Sequence, residues 1–106
     1  MEIYRGDNLI FDFDTTLEDG TLYEFQKGDI LKVGIKEKLT NPKCSLQKTI
    51  EIFEPTTTLT IEFTHEEMKK CCLGTKVMEI ELTDVNGRVY TLNQEELTIL
   101  GDVIND

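Results

Sequence analysis

Four carboxylates, Asp12, Asp14, Glu18 and Asp19, crowd into the nine residues that end at Gly20, a density that could serve a calcium ion. A calcium loop of the EF-hand type needs glycine at its sixth position, where Leu17 stands, and closes on a bidentate glutamate. Phe11 and Phe13 alternate with these acids, so the pattern favours the solvated face of a strand followed by a turn. Glu79 and Glu81 alternate with Met78, Ile80 and Leu82 and read as the wet face of a sheet, not as an acid pair facing each other across a sugar. His65 with Cys71 or Cys72 would supply a base and a nucleophile. His65, however, falls at the exposed first position of a short helix whose inward stripe carries the cysteines. The chain has no G-x-S-x-G, no phosphate loop and no dinucleotide fingerprint. No catalytic, cofactor-binding or metal-ligating residue is expected, and no cofactor.

Cys44, Cys71 and Cys72 are an odd number, and with one histidine and no C-x-x-C they lack a zinc signature. Reduced thiols acting as small apolar residues are the better reading. There is no tryptophan; Phe11, Phe13 and Phe63 fit core positions. Tyr4, Tyr23, Phe25 and Phe53 are the candidates for exposed contacts, with packing in the core or between strands preferred for each. A net charge of −10, from 11 basic and 21 acidic residues, repels phosphate backbones and anionic lipid, so neither nucleic acid nor membrane is an expected partner. No signal-type segment and no apolar run near the ~20 residues of a membrane span are present, and the expectation is a product of the cytoplasm.

The elements that must position these residues centre on Thr64 to Leu92. Thr64 and Glu67 form a capping box, and Phe63 and Met68 occupy the positions of a hydrophobic staple. Met68, Cys71 and Cys72 then make one apolar stripe, and Gly74 supplies a stop, which predicts a helix over about 65–73. Beyond it, a two-residue loop at Asn86-Gly87 would mix the faces of the flanking strands. A three-residue loop, Val85 to Gly87, with Gly87 as the left-handed bulge residue, sets Asp84 opposite Arg88, Leu82 opposite Tyr90 and Ile80 opposite Leu92.

Elsewhere the alternation predicts strands at Glu2–Arg5, Asn8–Asp14, Ile30–Glu37, Cys44–Glu54, Thr57–Phe63 and Leu97–Val103, with a partial strand at Thr21–Phe25 and a break at Leu39–Pro42. Seven or eight short strands with one short helix indicate an all-β fold, an antiparallel β-sandwich, and 106 residues form a single domain spanning 1–106. Glu2–Arg5 and Leu97–Val103 are the candidate edge strands.

Several signals follow one another in order: Tyr4-Arg5-Gly6-Asp7 leading into a strand, Asp19-Gly20-Thr21, Gly28-Asp29, the helical turn from Thr64 to Gly74, and the hairpin Asp84-x-x-Gly87-x-x-x-Thr91-Leu92. Together they resemble the small immunoglobulin-like domain at the N-terminus of phage baseplate upper proteins. Lys76 stands two residues past Gly74, where that family commonly has an aromatic. The resemblance implies an immunoglobulin-like sandwich and a non-enzymatic structural or adaptor role in a phage or prophage tail. It also implies a virion component whose partners are other tail or baseplate proteins or further copies of itself. A monomeric carbohydrate- or calcium-binding sandwich is the alternative from another class.

Overall fold

The computed structural model describes residues 1–37, 46–71 and 73–101. Among the described residues there are seven strands and one helical turn: β1 (Glu2–Tyr4), β2 (Leu9–Phe13), β3 (Ile30–Lys36), β4 (Leu46–Glu51), β5 (Leu59–Phe63), α1 (His65–Met68), β6 (Gly74–Thr83) and β7 (Val89–Leu100). The all-β expectation holds. Five strands form one sheet in the order β1-β7-β6-β3-β4, and β2 and β5 form a two-stranded antiparallel ribbon. The larger sheet is mixed and not antiparallel throughout as expected: β1 runs parallel to β7, while the pairs β7–β6, β6–β3 and β3–β4 are antiparallel.

Period-two alternation explains which residues face inward. On β3, Leu31, Val33 and Ile35 are fully buried, and across the ladder they meet Leu82, Ile80 and Met78 of β6. The ribbon contributes Leu9, Phe13, Ile61 and Phe63 to the same hydrophobic cluster. Full burial of one such side chain is worth about 1.5–3 kcal/mol, so the shared cluster is what holds ribbon and sheet together.

The β6–β7 hairpin forms as its residue types demand. Asp84 and Arg88 are joined by a backbone hydrogen bond of 2.9 Å, Gly87 N–H returns to the Asp84 carbonyl, and Gly87 takes φ +81°. The loop is the three-residue one, with Leu82 opposite Tyr90. Further along, however, Ile80 lies opposite Asn93, not Leu92. A one-residue bulge there shifts the parity of β7, so that Leu97 and Ile99 turn to the same side as Leu82 and Ile80 and are buried. Simple alternation from Tyr90 would have turned them outward.

That bulge also corrects the reading of the C-terminal strand. Leu97 onward is not a separate edge strand; it continues β7, which sits between β1 and β6. Among the described strands the edges of the larger sheet are β1 and β4. Thr21–Phe25 forms no strand, only the isolated bridges Thr16 to Leu22 and Phe25 to Thr56, because Gly20 and Gly28 turn the chain on either side. Residues 102–106, the Leu39–Pro42 break, Cys44 and Cys72 lie outside the described residues.

The helix is shorter than its apolar stripe suggests. The capping box forms, and the staple residues Phe63 and Met68 are both fully buried. After Met68 the amides of Lys70 and Cys71 bond back three residues, to Glu67 and Met68, and the turn tightens instead of propagating. Gly74 then opens β6 instead of stopping a longer helix.

Two lysines stand on the inward face of the sheet. Lys76 shares the parity of Met78 and Ile80 and is 4% exposed; its ammonium lies 2.6 Å from Glu37 Oε2. The long stem fills the space and the charge reaches the rim. Lys48, opposite Val33, spans the gap between sheet and ribbon. Its ammonium donates to the Glu62 carbonyl and, at 3.0 Å, to Glu67 Oε1, and lies 5.1 Å from the centroid of the Phe63 ring. One cation thereby ties β4, β5 and the helix cap.

Glu67 accepts the Thr64 N–H and then the Lys48 ammonium, and these bonds hold its carboxyl below the ordinary glutamate range. A depressed carboxyl stabilises the fold above its unfolded value, about pH 4.3, and that contribution is lost as pH falls through the folded one. Lys48→Met is expected to lower stability by about 1–2 kcal/mol at pH 7 and to flatten the dependence below about pH 4.3, read by urea unfolding across pH. An unchanged acid slope would leave the Thr64 N–H bond as the cause and remove Lys48 from it.

Gly28 has φ +97°, and a Cβ there would lie 2.9 Å from Cγ1 of Val85 at the hairpin tip, whereas a Cβ on Gly87 would meet nothing. Gly87→Ala should cost about 1–2 kcal/mol for the left-handed backbone alone. Gly28→Ala should cost more, and Val85→Ala in the same chain should remove the excess. Thermal unfolding of the three variants measures both differences.

Candidate functional site: a cleft between two hairpins

Beyond the ribbon, two hairpins face each other across a cleft of about 640 Å³. The first is the Thr15–Tyr23 segment. Leu17 N–H bonds to the Thr21 carbonyl at 2.8 Å and Tyr23 N–H to Thr15 at 2.8 Å, which fixes its two arms. Asp19 caps the tip by accepting both the amide and the hydroxyl of Thr21, and these bonds hold its carboxyl below the usual aspartate range. Residues 15–18 of this segment line one wall.

The opposite wall belongs to the β6–β7 hairpin, with Leu82, Asp84 and the run Tyr90 to Leu92. Asp84 Oδ1 accepts the amides of Asn86 and Arg88 at 2.9 and 3.0 Å, so the turn is braced by its own first residue. β1 pairs with β7 only over Thr98–Leu100, and among the described strands none pairs with that edge of β7 along Val89–Glu95. The cleft opens beside that unpaired edge.

Tyr23 forms the floor, and what holds it is the most buried acid of the described residues. Asp29, 1% exposed, accepts the Tyr23 hydroxyl and the Gln26 amide on Oδ2, each at 2.9 Å. Its carbonyl in turn accepts Ile52 N–H. The Tyr23 ring meets Phe25 edge to face at 5.2 Å. Burial first, then the hydrogen bond to Asp29 and the negative charges of Asp29 and Asp84, push the Tyr23 phenol up to about 12.

The residues singled out in the sequence are distributed differently. Asp12 lies on the ribbon and accepts the hydroxyl of Thr60, its cross-strand partner, at 2.8 Å. Glu18 lines the cleft and Asp19 folds back on Thr21, so the acid-rich run is not gathered around a point. Among the described residues no group of three or more His, Cys, Asp or Glu is placed to hold a metal ion. His65 is exposed on the helical turn while Cys71 is buried. Glu79 is less wet than the alternation suggests: Lys36 lies 3.3 Å from one carboxylate oxygen and Gln94 donates to the other at 2.8 Å.

Of the four aromatic candidates, Phe25 is fully buried, Tyr23 is half-buried in the cleft floor, and Tyr4 and Phe53 are 48% and 72% exposed. Phe53 escapes the core because it shares the outward parity of Gln47, Thr49 and Glu51, while Ile52 beside it is buried. Sequence reasoning passed over Tyr90 and Leu17, 45% and 50% exposed at the cleft. Tyr90 sits on the inward parity of β7 and read as core; its place one residue inside the hairpin mouth was the signal that it overhangs the core instead.

No family model matches the chain, and neither a curated protein nor a solved structure matches it.

Tyr23→Phe leaves Asp29 with the Gln26 amide and a buried vacancy, and is expected to cost about 1–3 kcal/mol in urea unfolding at pH 7. A phenol whose pKa is raised stabilises the fold below its unfolded value, about 10, and the contribution disappears as pH climbs toward about 12. Wild type should therefore lose stability more steeply than the variant between about pH 10 and 12, and parallel curves would count against the Tyr23–Asp29 bond.

Proposed function

We propose that this domain is a non-enzymatic docking module, and that it serves in a phage or prophage tail as a structural or adaptor protein. The observation that carries the docking role is the cleft: two internally braced hairpins with half-exposed Leu17 and Tyr90 between them, open beside an unpaired stretch of β7. Preformed concave surfaces with exposed apolar and aromatic side chains lower the ordering cost of association. A free sheet edge offers main-chain donors and acceptors to a partner strand. Leu22, Val85 and Val89, each about half exposed or more, add apolar area on the two hairpins and the adjoining strand.

The tail assignment rests on the resemblance in the order and type of the turn signals, and the immunoglobulin-like reading rests on the same ground. It is supported by a ribbon and a sheet sharing one core and by turns at Asp19-Gly20-Thr21, Gly28-Asp29 and Asp84–Gly87. In this reading the protein is made in the bacterial cytoplasm, ends as part of the virion, and binds other tail or baseplate proteins or itself. The rival, a monomeric carbohydrate- or calcium-binding domain, would use the hydroxyl and carboxylate groups of the same cleft.

Particles induced from the source bacterium and purified are expected to contain this chain at a fixed ratio to an abundant tail protein, as counted by quantitative peptide mass spectrometry. Clean particles that lack it would remove the virion role. A rise in unfolding temperature with calcium or a neutral glycan would favour the rival.

A further inference from the structure

We infer that the cleft receives a cationic side chain, a lysine or arginine, presented by an extended segment of a partner protein. The inference rests on the docking role proposed above and names the chemistry of the partner. Its first support is charge. Glu18 on one wall and Asp84 on the other are the carboxylates of the described lining, and no lysine, arginine or histidine is among the described residues that line it. The chain as a whole carries −10, so the field at any acidic concavity is reinforced by the rest of the surface, and a cationic partner is drawn in.

The second support is the shape of the walls. Leu17, Leu82 and Leu92 provide apolar surface for the methylene stem of a long side chain, and Tyr90, 45% exposed, offers a ring to the charged head. An anionic side chain would meet like charge from Glu18 and from Asp84, whose Oδ1 already accepts the Asn86 and Arg88 amides, and an apolar one would strip water from Glu18 and return no bond, a cost that a guanidinium or ammonium avoids. The third support is the neighbouring edge. Along Val89–Glu95 β7 has no second strand partner among the described residues, and an extended segment laid there would set one of its alternating side chains over the cleft. The bulge at Leu92–Asn93 limits that pairing to a short stretch, which suits a linear segment better than a broad sheet.

The test uses the intact isotope-labelled chain and two probes, the peptide acetyl-Ser-Leu-Arg-Leu-Ser-amide and the same peptide with neutral citrulline for arginine. Saturable amide shifts confined to residues 15–18 and 90–92 are expected with the arginine peptide, weakened at least fivefold by citrulline. Glu18→Gln, at an exposed site whose loss leaves the fold intact by its own spectrum, should weaken the arginine peptide by a similar factor. Tyr90→Leu should weaken it while keeping the apolar wall, and added salt should weaken it further. Equal binding of the two peptides, shifts scattered over the acidic outer surface, or indifference to Glu18→Gln would overturn the inference. So would a concentration-dependent dimer whose contacts map to the cleft, which would give the place to a second copy. Particles that contain the chain at a fixed ratio, joined with a cleft blind to arginine, would sink this inference and leave the docking role standing. Arginine binding by a chain missing from particles would leave this inference standing and remove the virion role.

Discussion

The structure depends on a single slip of register. β7 is twelve residues long, and its two ends must serve one core: Leu82 and Ile80 of β6 face inward throughout, so Tyr90 and Leu92 must agree with them near the hairpin and Leu97 and Ile99 near the far end. Even and odd positions of a strand point to opposite faces, so no unbroken ladder satisfies both requirements. The extra residue, Leu92, left without a partner between Thr91 and Asn93, does. Without it the far half of β7, the half that pairs with β1, would turn two of its most buried side chains to solvent.

The same slip creates the conditions for the cleft. A bulge bends a strand and re-aims the side chains beside it, and Tyr90, just before this one, is 45% exposed although its partner Leu82 is buried. The Thr15–Tyr23 hairpin faces it across the cleft and is pinned from below by Asp29. A buried carboxylate with its hydrogen bonds made is stiff in a way that an apolar contact is not, since each bond has a direction. The concavity is thereby defined by bonded groups and not by loose loops.

Much of this was legible in the residues. Alternation located β2, β3, β5 and β6 to within a few positions, Thr64 and Glu67 announced the helix cap, and Asp84 with Gly87 gave the loop and the near register of the hairpin. What was not legible has physical causes. A bulge depends on which face of a distant strand must be fed, and nothing local in Leu92-Asn93-Gln94 marks it. Thr21–Phe25 has strand-forming residues, yet glycine turns on both sides confine it to isolated bridges. Lys48 and Lys76 sit at inward positions that polarity alone assigns to solvent; their long stems and their partners Glu67 and Glu37 decide otherwise. Asp29 looked like a turn residue and is one, but its burial follows from Tyr23 reaching across to it, a contact that spacing does not announce.

The parallel pairing of β1 with β7 has a mechanical consequence. Glu2 to Tyr4 run alongside Thr98 to Leu100 in the same direction, joined by bonds such as Arg5 N–H to Leu100 and Thr98 N–H to Met1. Tension applied at Met1 and at residue 101 pulls the two strands in opposite senses along their length, so the crossing bonds are sheared together and cannot be opened one at a time. The far pole of the molecule, with its hairpins, lies outside that line of force. A load passed through the terminal strands would leave the cleft slack.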